Sequence, residues 1–371
     1  MSLYIGLMSG TSMDGIDAAL LDVHTHQLIK GITRAYSQEV KETLQSLLAT
    51  DKHELCVSYQ LNTLIGREFG MAAKELIAEA KVSRASIQAI GSHGQTLIHD
   101  AEDRTPYTVQ LGCAHTIAEM TQLPVIADFR TRDLIVCGQG APLAPLYHQT
   151  LFADLGCPLA VVNVGGIANL SALLGENELF GYDLGPGNCL MDAWILRHQG
   201  QSYDVKGQWA SQGKVITPLL QALLEDPFFK KHHPKSIGKE YFSLHWLSTF
   251  FNKEYQAVDV QATLLHLTAE LIAKALISQK SVFKKLILCG GGAHNEHLLS
   301  VLTQLMPEVL TRSSAAVGID PDFIEAQMMG WLAHQMMMNH PCDLKPITGA
   351  YKKALLGVFY PPGIEVESSN L

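Results

Sequence analysis

Leu3-Tyr4-Ile5-Gly6-Leu7-Met8-Ser9-Gly10-Thr11-Ser12-Met13-Asp14-Gly15-Ile16-Asp17-Ala18-Ala19-Leu20-Leu21-Asp22-Val23 is the stretch that decides the fold. Apolar runs flank a turn of Gly, Ser, Thr and Asp, the pattern of a strand, a tight polar turn and a second strand. Gly10 and Gly15 lack a Cβ, so backbone amides there can approach an anion closely. The hydroxyls of Ser9, Thr11 and Ser12 add donors, and Asp14 and Asp17 suit a magnesium ion or its waters. A surface hairpin that uses Gly and Asp only for turn geometry fits the same local pattern. Later in the chain, Val161-Val162-Asn163-Val164-Gly165-Gly166-Ile167-Ala168-Asn169-Leu170-Ser171-Ala172-Leu173 repeats the order strand, Gly-polar turn, strand. Two such hairpins suggest two related halves, each offering a phosphate loop to one shared cleft.

Outward from the hairpins, short apolar runs at Ala89–Ser92, Pro124–Ala127, Leu159–Val164 and Lys285–Cys289 end at Gly, Ser, Asn or Asp and read as central strands. Between them, Cys56–Ala80, Val260–Ser278 and Asp322–Met338 show the three- and four-residue apolar spacing of helices. This alternation predicts an α/β fold with largely parallel sheets. Gly290-Gly291-Gly292 follows the last of those strands and precedes a helix expected from about Glu296 to Gln304. Open α/β sheets bind ligands at such a place, although a sharp strand-to-helix turn needs glycine for its own sake.

Further clusters carry side-chain chemistry. Asp183 precedes Gly185-Pro186-Gly187-Asn188, a turn expected to open a helix with Asn188 as its cap. A carboxylate there can take a proton from water or a hydroxyl, or can simply form the turn. Asp128-Phe129-Arg130-Thr131-Arg132-Asp133 lies before a Gly-rich loop at Gly138–Gly140, so its arginines suit a carboxylate ligand or ion pairs among these four charges. No G-x-G-x-x-G opens a helix and no G-x-x-x-x-G-K-[ST] is present, which sets aside Rossmann and P-loop readings.

At 371 residues the chain exceeds a usual single core, so two lobes are expected. Hydrophobic residues make up 47% and charged residues 17%, a balance that excludes disorder. A formal charge of -9 without a Lys/Arg run speaks against nucleic-acid binding. No secretory leader and no apolar run long enough for a membrane span is evident, so a cytoplasmic protein without membrane partners is expected. The seven cysteines are widely spaced, without C-x-x-C, and read as reduced core residues. His294 and His297 could share a helix face but lack a third metal ligand in pattern, and His24, His26, His232 and His233 read as solvated turn residues.

Taken together, Met8–Asp17, Ser92-His93-Gly94-Gln95-Thr96, Asp128–Arg130, Gly138–Leu143, Asn163–Asn169, Asp183–Asn188 and Cys289–Asn295 resemble the anhydro-N-acetylmuramic acid kinase family, within the superfamily of actin, the 70-kDa heat-shock proteins and sugar kinases. The likeness runs from residue 4 to about 355. It implies a two-lobed actin-like ATPase fold of duplicated ribonuclease H-like domains with the active site in the inter-lobe cleft. The lobes are expected at 1–128, with a segment of about 346–371 returning to it, and at 129–345, closing over the substrates. The implied reaction opens 1,6-anhydro-N-acetylmuramic acid with water and phosphorylates O6 with ATP and Mg2+, giving N-acetylmuramic acid 6-phosphate and ADP in peptidoglycan recycling. Asp183 matches the catalytic base. Arg130, Glu325, His93 and Gln95 match sugar-side positions, with Arg130 the candidate for the lactyl carboxylate. Gly10, Thr11, Ser12, Met13, Asp14, Gly15, Ile16, Asp17, Gly165, Gly166, Gly290 and Gly291 match the nucleotide side. A homodimer is a family expectation.

The chain departs from the family pattern at Leu184, often Thr, at Cys137, often Gly, and at Ile237 and Lys239 in Pro234–Glu240, where Thr and Arg are common. A lost hydroxyl and an Arg-to-Lys change put contacts of that loop in doubt. A simple sugar or acid kinase without ring opening, or an actin- or chaperone-like binding protein, would use the same scaffold.

Overall fold

A computed structural model describes residues 1–10, 15–48, 54–175, 178–238, 241–251, 254–277 and 283–363. Thr11, Ser12, Met13, Asp14 and Lys239 lie outside the described residues. The chain divides into two compact units, Met1–Gly140 with Glu325–Asp343 and Lys352–Leu371, and Ala141–Ile324 with Leu344–Tyr351. This differs from the division expected from sequence, which ended the first lobe at 128 and kept 325–343 in the second. The reason lies in a helix, Ile324–Met337, whose backbone packs on the first unit's sheet.

That sheet begins with the opening hairpin, β1 (Leu3–Ser9) antiparallel to β2 (Ile16–Asp22), and continues antiparallel into β3 (Gln27–Arg34). The chain then runs through helices Gln38–Leu48 and Leu55–Ala80 before β4 (Ile87–Asp100) returns parallel to β1. β5 (Tyr107–Leu111) folds back antiparallel on β4, and β6 (Val125–Ala127) lies parallel to β4. The antiparallel pairs at the hairpin contradict the expectation of largely parallel sheets. Tight turns can join only antiparallel strands, whereas each parallel neighbour needs a helical crossover.

All seven residues of β1 are buried, so both faces of this strand need cover. Leu3, Ile5 and Leu7 join Phe69, Leu76 and Ile117 in one core. On the other face Gly6 is paired with Ala19 and with Gly91 in register, a row of small residues across three strands. A Cβ on Gly6 would overlap the backbone oxygen of Ala326, and one on Gly91 that of Met329. Glycine there lets the Ile324–Met337 backbone lie directly on the sheet.

The second unit repeats the plan. β7 (Leu159–Val164), β8 (Ile167–Gly175) and β9 (Glu178–Pro186) form an antiparallel meander; β10 (Lys285–Cys289) is parallel to β7 and β11 (Leu310–Ser313) to β10. The five-strand orders β3-β2-β1-β4-β6 and β9-β8-β7-β10-β11 match strand for strand, with β12 (Val358–Tyr360) added beside β6 in the first sheet. The two related halves suggested by the paired hairpins, and the duplicated ribonuclease H-like α/β architecture implied by the family resemblance, are therefore the fold of this chain. Helix Ala257–Ile277 carries 13 buried residues at the centre of the second core. By length and composition it is apolar enough to cross a membrane, against the expectation that no segment would be, because a mostly buried core helix is apolar on most of its faces.

Gly91→Ala forces a methyl group against the Met329 carbonyl and is expected to lower unfolding stability by about 3 kcal/mol. Urea denaturation checks this; an unchanged midpoint would show that the helix does not rest on the sheet at this glycine.

Candidate active site

In the first unit the candidate residues lie at the ends of β1 and β6 and in mid-β4, where its parallel pairing with those two strands stops. Ser9, the last residue of β1, is buried, and its Oγ lies 2.8 Å from Gly15 O and 2.8 Å from Gln95 Oε1 on β4. Both contacts turn this hydroxyl toward protein acceptors, which corrects its assignment as a phosphate donor. It instead joins the far side of the turn to β4. Tyr36 reaches the same Gln95 oxygen at 3.4 Å. Asp17, paired with Met8 in the hairpin, accepts a hydrogen bond from Thr33 Oγ1 at 2.7 Å.

Arg130 follows β6. Its Nε donates to His93 Nε2 at 2.9 Å and its Nη1 to Gly140 O at 2.6 Å. His93 Nδ1 lies 2.9 Å from Gly94 O, which can only accept. That network assigns the proton to Nδ1 and leaves Nε2 as the acceptor for Arg130. Burial, reinforced by the Arg130 charge, holds His93 down at about 3, so the imidazole is neutral. His99 is lowered to about 4 for the same two reasons in the same order. The buried carboxylate of Asp133 accepts from Gly140 N at 2.7 Å and fixes the loop whose carbonyl Arg130 uses. Locally, then, Asp133 serves backbone, and sequence reasoning missed this role. Glu325, at the start of the helix packed on Gly6 and Gly91, is raised by burial despite the Arg130 charge, with Asp17 adding to the rise.

In the second unit three glycine motifs meet at the ends of β7 and β10. Gly290, at φ +72°, would place a Cβ into Asn163 Oδ1, and Gly292 would place one into the Val164 side chain. Gly165 O and Gly166 O accept from Asn188 N at 2.8 Å and Gly187 N at 2.9 Å. The expected helix follows at Cys189–Gln199, but Asn188 does not cap it through its side chain. Its Nδ2 donates to Val164 O at 3.0 Å instead, tying the turn to β7. Asn295 caps the next helix, Glu296–Leu305, by accepting from Leu298 N at 2.9 Å. Asp183 is buried on β9; its Oδ2 accepts from Ile237 N at 2.9 Å and its own N–H donates to Lys235 O at 3.1 Å.

The structure thus brings Gly10, Gly15, Ile16, Asp17, His93, Gln95, Arg130 and Glu325 into one unit, and Gly165, Gly166, Asp183, Gly290 and Gly291 into the other. Other expectations change. Only Cys289 and Cys342 are buried; Cys56, Cys137 and Cys157 are exposed, against the reading of all seven as core residues. His294 contacts Asp322 at 2.9 Å, and no cluster of three metal-ligating side chains occurs among the described residues. His233 stacks on Phe180 at 5.0 Å and on Tyr182 at 5.3 Å, so it is more than a solvated turn residue.

Two units of one topology, each with glycine turns at the carboxyl ends of its parallel strands, define the class of actin-like ATPases and sugar kinases. Within it, the family model for anhydro-N-acetylmuramic acid kinase matches residues 2–362. A relative of that name from Legionella pneumophila (strain Corby) is 55% identical over 361 residues, covering 97% of this chain and 99% of its own. Another, from Coxiella burnetii (strain Dugway 5J108-111), is 42% identical over 360 residues, covering 96% and 97%. The chain belongs to the anhydro-N-acetylmuramic acid kinase family and is a kinase.

Cys137 sits at φ +63°, where glycine is unstrained, so Cys137→Gly is expected to raise stability by about 1 kcal/mol; a lowered melting temperature would contradict this. His93, His99 and His148, the last also lowered to about 3 by burial, refuse protons that the unfolded chain binds below about pH 6.5. Their contribution is complete above that pH and is lost as pH falls toward 4, at about 1.4 kcal/mol per unit for each histidine. The urea midpoint followed from pH 7 to 4.5 should fall, and His99→Gln should flatten the slope by one proton; an unaltered slope would mean His99 is charged in the fold.

Proposed function

We propose that this protein opens 1,6-anhydro-N-acetylmuramic acid and phosphorylates it in one reaction. Asp183 takes a proton from water, whose oxygen bonds to C1 as the C1–O6 bond breaks. The freed O6 attacks the γ-phosphorus of ATP, and ADP leaves. The observation that carries this reading is Asp183 itself, a buried carboxylate held by the Ile237 N–H and by its own backbone bond to Lys235 O. A base oriented this way meets the first requirement of proton transfer, which is geometry.

Arg130 would bind the lactyl carboxylate, with His93 and Gln95 setting the arginine and the strand beside it. Neutral His93 can accept from the guanidinium without cancelling its charge, which suits an arginine meant for an anionic substrate. Glu325 would position the sugar. The glycine turns at Gly10, Gly15, Gly165, Gly166, Gly290 and Gly291 would cradle the nucleotide, with Ile16 and Asp17 beside the first. The Asp17 charge reaches Glu325, adding to the rise that burial causes, and these two carboxylates would share a cation. Mg2+ takes one or two carboxylates plus phosphate oxygens, so the residues fit it, and bound there it would neutralise charge on the transferring phosphoryl group. Free cysteines accord with a reducing cytoplasm, and a homodimer completes the reading.

Incubation with ATP, Mg2+ and the anhydro sugar in ¹⁸O-water tests the order of events. Label at C1 of a 6-phosphorylated product is expected; phosphorylation with the anhydro ring intact would make this an ordinary sugar kinase. Asp183→Asn should keep ATP affinity and lose turnover by at least about 10³-fold. Near-normal activity would remove Asp183 from the mechanism.

A further inference from the structure

Asp183 belongs to a polar row that crosses the second sheet. In register, Asn163 on β7 stands opposite Asn169 on β8, and Asn169 stands opposite Asp183 on β9. Residues directly opposite share a face of the sheet, with Cβ atoms about 4.5–5.5 Å apart. Their neighbours Val162, Leu170 and Tyr182 point into the apolar core, so the three polar residues face the other way. Helix Ala144–Leu151 lies on that second face, where its His148 Nδ1 is 2.8 Å from Ser171 Oγ, two residues beyond Asn169 on the same side of β8. A one-residue bulge at Leu184 breaks the ladder beside the pair, with Ala168 opposite Gly185 and Asn169 opposite Asp183. Such bulges re-aim side chains next to functional sites.

The members of the row differ in what holds them. Asp183 accepts from the Ile237 N–H at 2.9 Å. Asn163 is buried under the Gly290 turn, where a Cβ would run into its Oδ1. Asn169 is half-buried, yet its Oδ1 is fully buried and has no hydrogen-bond partner among the described residues. An amide oxygen left so loses its hydration with nothing in return, and in native proteins such a group calls for a ligand or an ordered water. Here that acceptor stands one strand away from the base.

We infer that Asn169 orients the water that Asp183 deprotonates. One O–H of that water is given to the Asp183 carboxylate and the other to Asn169 Oδ1, which leaves an oxygen lone pair for C1 of the sugar. The inference deepens the reading of Asp183 as base and rests on it. As the water oxygen bonds to C1 and the C1–O6 bond breaks, one proton passes to Asp183. The proton held by Asn169 stays on the new C1 hydroxyl. A nucleophile with a single O–H can satisfy only the base, and this gives the arrangement a signature that a purely structural asparagine lacks.

The test compares Asn169→Leu and Asn169→Ser with wild type in the full-length protein, with methanol added as a competing nucleophile. Methanol gives its one O–H to Asp183 and turns its methyl group toward residue 169. Asn169→Leu, close in size but without the acceptor, should lower kcat about 10²-fold and leave KM for ATP and for the sugar within about twofold. The ratio of 6-phosphorylated methyl glycoside to hydrolysis product should rise about tenfold, the worth of one hydrogen bond. The variant should melt no lower than wild type, since an unpaired buried amide is gone. Asn169→Ser keeps a hydroxyl acceptor and should fall between wild type and Asn169→Leu; if Asn169→Leu does not fold, its methanol ratio decides. A methanol ratio unmoved in the folded variants overturns the inference. So does a loss carried by the sugar KM with kcat retained, which would make Asn169 a contact of the bound sugar. Asp183→Asn separates the two readings: if that variant stays active, the base assignment itself fails, whereas an inactive Asp183→Asn beside Asn169 variants of wild-type behaviour removes Asn169 alone.

Discussion

Backbone laid directly on backbone at Gly6 and Gly91 is the contact on which the first unit's site depends. Helices usually rest on sheets through side chains, and the two elements then have some freedom to slide. Here the Ala326 and Met329 carbonyls occupy the space where strand side chains would stand, so the helix register is fixed by sterics alone. Gln327 adds a bond to His26 O at 3.2 Å, and His334 packs edge-on to Tyr4 at 5.2 Å. Glu325, one residue before the contact, inherits its place from this packing. A carboxylate so placed is kept near Arg130 and Asp17.

Near that contact, Arg130 and Asp133 make hydrogen bonds to neutral groups. Arg130 reaches a neutral imidazole and a carbonyl, while the buried Asp133 carboxylate is occupied by a backbone N–H. The second unit uses neutral groups too: Asn188 binds the Val164 carbonyl, and Gly187 and Asn188 amides bind the Gly165–Gly166 carbonyls. Such bonds stiffen a loop without adding net charge to it.

The hairpins at Leu3–Val23 and Val161–Leu173, the strand ends at Asn163 and Cys289 and the long helices were legible because each is a local pattern of apolar spacing and turn residues. The sheet directions were not, since a hairpin followed by a crossover makes a mixed sheet that composition cannot distinguish from a parallel one. Nor did Gly6 and Gly91 announce themselves, because a glycine inside a strand gives no hint of which element comes close. The partition of the chain followed from that hidden contact. Arg130 and Asp183 stood out as charged residues in glycine-rich surroundings, whereas Asp133, which fixes the loop beside Arg130, looked like one of four surface charges until burial distinguished it.

The departures from the family pattern show what each position asks of its residue. At Ile237 the contact with Asp183 is made by the backbone N–H, so a side chain without a hydroxyl leaves that bond in place. Leu184 points into the second core at 4% exposure, where an aliphatic side chain packs at least as well as Thr and leaves no hydroxyl to satisfy. Cys137 differs in kind. Its left-handed backbone is what the turn demands, and a side chain there adds strain while contributing nothing to the Arg130 loop that Gly138 and Gly140 do not already allow. Substitution is therefore free where the backbone makes the contact, favourable where the core receives the side chain, and strained where the backbone conformation itself is the requirement.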